Sequence, residues 1–314
     1  MIGLGRMGAN MTRRLMHGGH SCVVYDRAPA QTFAVAREGA TPAESLEDLV
    51  RKLPAPRIVW LMLPAGETTG CAIRDLGDLL GRGDIIVDSG NSHYRDDLAR
   101  AEWLSGRGIE FVDCGTGGGI WGEQRGYCLT IGGCKETVEH IEPIFATLAP
   151  GEDSVPRTPG REGNSAEKGY LHCGPTGAGH FVKMAHNGIE YGLMQAFAEG
   201  FDLLHSAARL GYQLPVADIA EVWRRGSVIS AWLLDPTAAA LARVPSLPAW
   251  KAESGIPVRA VGRWRRRSRQ ECPARRWRQR SLHDSGRKWT TRLARRSCRR
   301  CGSASEGTST RVNR

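Results

Sequence analysis

The chain has 314 residues, 41% hydrophobic and 24% charged, the balance of a soluble globular protein with room for about two domains of roughly 150 residues each. No apolar run reaches the roughly 18 residues of a membrane helix, and Met1 leads into a glycine turn without the apolar stretch of a signal peptide, so a cytoplasmic protein is expected. The net charge of +10 averages two unlike parts: residues 255–314 hold 18 Arg and one Lys against three acids, while residues 1–254 carry 24 bases and 30 acids. The nine cysteines, an odd number without framework spacing, read as reduced thiols.

The chain opens on Gly3-Leu4-Gly5-Arg6-Met7-Gly8, a G-x-G-x-x-G. In a dinucleotide fold these glycines serve a tight turn, close backbone approach to a pyrophosphate, and helix–strand packing, with the next helix aiming its first amides at the phosphates. A glycine-rich turn also arises by chance, so context decides. A helical stretch over 9–17 follows, then a strand over 21–25 ending in Asp26. An acid there accepts hydrogen bonds from the adenosine ribose and repels a 2′-phosphate. Arg27, next to it, suits that phosphate instead, so NAD is only slightly favoured over NADP. Only Met1 and Ile2 precede Gly3, which predicts an unusually short central strand.

Apolar runs at 57–63 (RIVWLML), 84–88 (DIIVD), 110–113 (EFVD) and 127–131 (YCLTI) alternate with helix-like stretches such as 67–80 and 95–107. This alternation predicts an α/β, Rossmann-like, doubly wound parallel sheet. Ligands bind beyond the carboxyl ends of such strands. The loops there are Leu63-Pro64-Ala65-Gly66, Ser89-Gly90-Asn91-Ser92 and Gly115-Thr116-Gly117-Gly118-Gly119. Tight turns explain each alone; three at one sheet edge point to a site.

After Gly174-Pro175 the pattern becomes helical. Lys183, His186, Asn187, Glu190 and Tyr191 fall at i, i+3, i+4, i+7 and i+8, on one helical face. A satisfied core histidine explains His186 but not the set, and a solvated face would mix Lys and Glu with Ala, Gln and Ser. A catalytic stripe is the stronger reading.

The run G-A-G-H-x-V-K-M-x-H-N-G-I-E-Y over 177–191 resembles the signature of the decarboxylating 6-phosphogluconate dehydrogenases. G-L-G-R-M-G, L-M-L-P-A-G, D-S-G-N-S and the G-T-x-G-G loop with I-W-G-E after it add to the resemblance, which covers roughly 1–255 and is nearest the short bacterial form. It implies a dinucleotide-binding domain over 1–165 and an all-helical substrate domain over 166–254, cut short or scrambled at its C-terminus. By the same resemblance Gly3, Gly5, Arg6, Met7, Gly8, Asp26, Arg27, Leu63, Pro64, Ala65 and Asn91 hold NAD or NADP. Asn91, Gly117, Gly118, Gly119, His186, Asn187 and Tyr191 hold the substrate 6-phosphogluconate, Lys183 is the general base and Glu190 the acid. No metal is implied, and a homodimer or homotetramer is. Two positions depart from the family pattern: Gly117 stands where a substrate-contacting serine is usual, and Ser230 where longer members carry a phosphate-binding arginine. A related β-hydroxyacid dehydrogenase remains the alternative enzyme.

The tail over 255–314 admits three readings. Clustered Arg with Trp264, Trp277 and Trp289 would suit nucleic acid. Cys272, His283, Cys298 and Cys301 offer a poor metal spacing. Out-of-frame translation accounts for more: shifted back by one base, 262–269 can read W-T-V-E-A-A-I-E, and 285–301 can read a segment ending K-V-L-S-A-M, both similar to the family's C-terminal region. On that reading nucleic acid is not the partner, and the substrate domain lacks its closing elements.

Overall fold

The computed structural model describes residues 1–160 and 163–243; the expectations for 244–254 and for the basic tail lie outside the described residues. The elements run, in chain order, α1 (Arg6–His17), β1 (Val23–Val24), α2 (Pro29–Ala36), β2 (Thr41–Pro42), α3 (Leu46–Lys52), β3 (Ile58–Leu61), α4 (Glu67–Leu79), β4 (Ile85–Asp88), α5 (Tyr94–Ser105) and β5 (Glu110–Gly117). They continue with α6 (Gly122–Arg125), β6 (Cys128–Gly132), α7 (Lys135–His140), α8 (Glu142–Leu148), β7 (Tyr170–Gly174), α9 (Ala178–Ser206), α10 (Val216–Gly226) and α11 (Leu234–Arg243).

Strands β3 to β7 form one sheet in sequence order, and β1 pairs with β2 beside it. Ile2 bridges the two, pairing in parallel with Tyr25 and with Leu61. The expected short central strand is thus a single bridging residue, held by Ile2 N–H donating to Trp60 O and Met62 N–H donating to Ile2 O. Side chains along the parallel strands alternate between two cores. Trp60, Ile85, Val87 and Val112 pack with Met11, Leu15 and Phe145, whereas Val59, Leu61, Ile86 and Phe111 pack with Leu49, Ile73, Leu76 and Leu104. Apolar residues on both faces of nearly every strand are what a sheet covered by helices on both sides requires, and this is the doubly wound architecture.

One expectation is corrected. The sheet is not parallel throughout: β6 runs antiparallel to β5, with Asp113 opposite Gly132 and Gly117 opposite Cys128. The link between them is short and holds only a 3-10 turn over Gly119–Trp121 and the four-residue α6, too little for the crossover a parallel return needs. The sheet also extends to β7, which pairs in parallel with β6.

Helix α9, of 29 residues, lies directly on β5 and β6. Three glycines make this possible. A side chain on Gly115 would collide with Lys183 and Thr130, one on Gly132 with Asp113, and one on Gly179 with the backbone of Asp113 and Gly132. Thr130 Oγ1 donates to Gly179 O at 3.0 Å across this seam. The far half of α9 packs with α10 and α11 around Phe201, Ala220, Leu234, Ala238 and Leu241. No helix among the described residues is long and apolar enough to cross a membrane.

Candidate functional site

Two clefts meet at the carboxyl edge of the sheet. The larger, about 830 Å³, is lined by Gly3, Gly5, Arg6, Met7, Gly8, Asp26, Arg27, Leu63, Pro64 and Asn91 among others. Every residue expected to hold a dinucleotide is there except Ala65, which lies outside the lining. Its loop turns at Gly66, φ +96°, and the cleft wall is continued instead by Thr68, Cys71, Ala72 and Asp75 of α4. These were not legible from the sequence, although they follow directly on the expected loop.

The glycine loop has the geometry its sequence predicts. Gly3 has φ +88°, a region closed to most side chains, and a Cβ there would meet Met62 O. Gly8 sits against Gly3 O, so α1 packs backbone to backbone on the strand. Around Gly5, the N-cap of α1, nothing lies within 4 Å of a would-be Cβ. That open space, beneath the free amides at the start of α1, fits a pyrophosphate. Asp26 is fixed by two backbone donors: Leu4 N–H reaches Oδ2 at 2.7 Å and Ala28 N–H reaches Oδ1 at 2.8 Å. Its charge is therefore held at the end of the cleft, while Arg27 beside it is exposed. The residues present fit a nicotinamide dinucleotide.

The second cleft, about 440 Å³, is lined by all nine residues expected for substrate and chemistry: Asn91, Gly117, Gly118, Gly119, Lys183, His186, Asn187, Glu190 and Tyr191. Met7, Asn91 and Thr116 line both clefts, so the two join there. Trp121, Trp232, Leu233 and Pro236 close the outer wall, with Trp121 and Trp232 in an edge-on contact at 5.5 Å. Trp121 belongs to the I-W-G-E run read in the sequence, whereas Trp232, Leu233 and Pro236 were missed, because only the fold brings the start of α11 to α9.

Several of the expected site residues are held by defined contacts. Asp88, at the end of β4, is fully buried. Its Oδ1 accepts Gly90 N–H at 3.0 Å, and its Oδ2 accepts Ser92 Oγ–H at 2.6 Å, which pins the loop presenting Asn91. Ser89 Oγ lies 2.6 Å from Thr116 Oγ1 and ties that loop to β5. Along the stripe on α9, Lys183 Nζ is 3.4 Å from His186 Nδ1, and His186 Nδ1 is 3.7 Å from Glu190 Oε2. Burial holds the Lys183 amine below its ordinary pKa, against the opposing pull of Glu190 and Cys128. Gly117 lies where a side chain would stand 3.6 Å from Lys183 Nζ and from Cys128 Cβ, so the departure from the family pattern falls beside Lys183. Asp88, Asp97 and His180 bring three potential metal ligands within 4.8 Å of one another. Arg100 occupies the cationic role there, with Nη1 3.0 Å from Asp88 Oδ2 and 3.5 Å from Asp97 Oδ1.

A dinucleotide cleft at the sheet edge, joined to a polar pocket centred on a half-buried lysine, defines a nicotinamide-dependent oxidoreductase of the Rossmann class. Residues 1–155 match the NAD binding domain of 6-phosphogluconate dehydrogenase, and residues 179–213 match the C-terminal domain of 6-phosphogluconate dehydrogenase. A Haloferax volcanii protein named 6-phosphogluconate dehydrogenase, NAD(+)-dependent, decarboxylating is 40% identical over 235 residues, 75% of this chain and 72% of the relative. A Bacillus subtilis protein of the same name is 34% identical over 244 residues, 76% of this chain and 49% of the relative. Plasmodium falciparum 6-phosphogluconate dehydrogenase, solved in its apo form and in complex with its cofactor NADP+ and its substrate, superposes with a TM-score of 0.64 at 26% identity, over 77% of this chain and 50% of that one. The chain belongs to the 6-phosphogluconate dehydrogenase family; it spans 72% of the Haloferax relative and about half the length of the longer Bacillus and Plasmodium members.

Proposed function

We propose that the joined clefts carry out the oxidative decarboxylation of 6-phosphogluconate to ribulose 5-phosphate and CO2, with NAD as the preferred oxidant. The observation that carries this reading is the single cavity in which Lys183, His186, Asn187, Glu190 and Tyr191 face Asn91 and Gly117–Gly119 beside the dinucleotide cleft. NAD is preferred over NADP because Asp26 is fixed as a charge where a 2′-phosphate would lie, and both the Haloferax and the Bacillus relatives are named NAD(+)-dependent.

The bound nicotinamide would accept the hydride from C3. The chain's own residues manage protons and charge. Lys183, whose amine burial holds below its ordinary pKa, takes the C3 hydroxyl proton. As an ammonium it then polarises the new C3 carbonyl, so that the β-keto carboxylate leaves as CO2. Glu190, two helical turns along the same face, returns a proton to the carbon that carried the carboxylate. Asn91, His186, Asn187 and Tyr191 hold the hydroxyls, carboxylate and phosphate, and Gly3, Gly5, Arg6, Met7, Gly8, Arg27, Leu63 and Pro64 cradle the dinucleotide. The division into a dinucleotide domain and a helical domain belongs to the same reading, with the expected boundary at 165/166 moved to follow β7, because Tyr170–Gly174 pairs into the sheet and the helical part begins with α9 at Ala178. So does a homodimer, which the exposed apolar side chains Ile189, Leu193 and Leu203 of α9 would favour.

The chain as written is expected to bind dinucleotide weakly and turn over slowly, because its sequence from residue 255 no longer reads as this family. The test compares the chain as written with a version whose frame is restored after codon 254, assayed with a panel of β-hydroxy acids. The restored chain is expected to oxidise 6-phosphogluconate and little else. Faster oxidation of another acid would overturn the substrate, and robust turnover by the chain as written would overturn the reading of the tail.

A further inference from the structure

A third, much smaller cavity of about 30 Å³ lies behind Lys183, between residues Asn91–Tyr94 and His180, Lys183 and Asn187 of α9. That is the space of one water molecule. His180 forms part of its wall and is only 2% exposed. Its Nδ1 lies 2.7 Å from Asp97 Oδ2, and its Nε2 is buried without a hydrogen-bond partner among the described residues. A strut between α5 and α9 needs one donor, which a glutamine would supply. The second ring nitrogen, on the opposite edge from Asp97, is surplus to that task and calls for a partner of its own.

We infer that His180, oriented by Asp97, binds one water in this cavity through Nε2 and through that water positions Lys183. This rests on the reading of Lys183 as the base of the site. The groups facing His180 are Asp88 from β4, Tyr94, Asp97 and Arg100 from α5, Asp113 from β5, His93 from the loop, and Lys183 one turn along its own helix. Burial opposes a charged ring, but the hydrogen bond and charge of Asp97, with Asp88 and Asp113 behind it, together raise His180 above its ordinary value. In the doubly protonated ring that this inference assigns, Nδ1–H faces Asp97 while Nε2–H donates to the water, and the water donates to the lone pair of the Lys183 amine. A hydrogen bond to the neutral amine favours that form. The pair therefore keeps Lys183 ready to accept a proton, and the chain of contacts consumes no reagent and leaves every atom where it began.

The experiment reads the protonation of Lys183 directly, from the pH dependence of its acetylation by acetic anhydride, followed by mass spectrometry on the full chain. It needs no turnover, so it stands apart from the choice of substrate. His180→Gln keeps a donor toward Asp97 but loses the second ring nitrogen; Asp97→Asn lowers the basicity of the ring. Both are expected to move the acetylation midpoint upward by about one pH unit, which is roughly tenfold in reactive amine at a fixed pH below it. An unchanged midpoint, with only a lower Tm, would make the pair a structural strut and overturn the inference. A high-resolution crystal structure of the unaltered chain supplies a second reading free of any variant. An ordered water within hydrogen-bond distance of both Nε2 and Lys183 Nζ supports the inference, and a dry cavity overturns it.

Discussion

Asp113 holds the backbone of His180. Its Oδ2 accepts the His180 N–H at 2.8 Å, and its Oδ1 accepts the Gly177 N–H at 2.6 Å. A buried carboxylate at the middle of β5 thus satisfies two of the free amides at the start of α9 and complements the positive end of that helix. Lys183 lies one turn beyond His180, so the same contact fixes the height of the site lysine above the sheet. Asp113→Ala is expected to cost on the order of 2 kcal/mol or more, since it leaves two buried amides without acceptors. Urea unfolding measures this, and kcat should fall along with stability because the lysine loses its register.

Lys183→Met should separate stability from function. Burial lowers the Lys183 pKa in the folded chain, so the unfolded chain binds that proton more tightly. The charged amine therefore costs stability below its folded pKa, and the cost fades as pH rises toward the unfolded value of about 10.4. Lys183→Met is expected to raise Tm at pH 7 and to raise it less at pH 10, while removing a base effect of about a hundredfold to ten-thousandfold in kcat. A lower Tm at both pH values would contradict the origin assigned to the shift.

Gly117→Ser restores a hydroxyl beside Lys183. The position has ordinary backbone and only van der Waals contacts at 3.6 Å or more, so the side chain enters without strain. One added hydrogen bond of about 1 kcal/mol lowers KM for the sugar acid roughly fivefold, with stability unchanged. Gly118→Ala, at φ +114°, serves as the contrasting variant, because a side chain there strains the backbone; it should lose both stability and activity.

Asp26→Ser removes the fixed charge at the end of the dinucleotide cleft and leaves Arg27 in place. The ratio of kcat/KM for NADP over NAD should rise by about tenfold or more, as repulsion of a 2′-phosphate is replaced by attraction. The Leu4 and Ala28 amides lose a charged acceptor, so Tm should fall as well. An unchanged ratio would place cofactor choice elsewhere in the cleft.

Much of this site was legible in the sequence because its signals are local. The glycine loop sets its own turn, the apolar runs at 57–63 and 84–88 appear as β3 and β4, and the polar stripe on α9 follows from helical periodicity alone. What the sequence hid depends on contacts between distant segments. The two-residue β2 over Thr41-Pro42 has no apolar signature, and β7 carries His172 and Cys173 among its five residues. The antiparallel turn of β6 was decided by the length of its connection rather than by its residues. Asp113 and Asp97 read as ordinary strand-end and helix-surface acids, yet both are fully buried. Their partners, Gly177 and His180, lie more than sixty residues away in the chain and become visible only once the glycine seam at Gly115, Gly132 and Gly179 seats α9 on the sheet.

The central claim, that Lys183 drives an oxidation coupled to decarboxylation, is tested most directly with 6-phosphogluconate labelled at C1. The measurement is release of labelled CO2 against formation of NADH, in the frame-restored chain with Lys183 and with Lys183→Met. Equal amounts of the two products with Lys183, and neither with Met, are predicted. NADH without CO2, or undiminished CO2 release from Lys183→Met, would contradict the account.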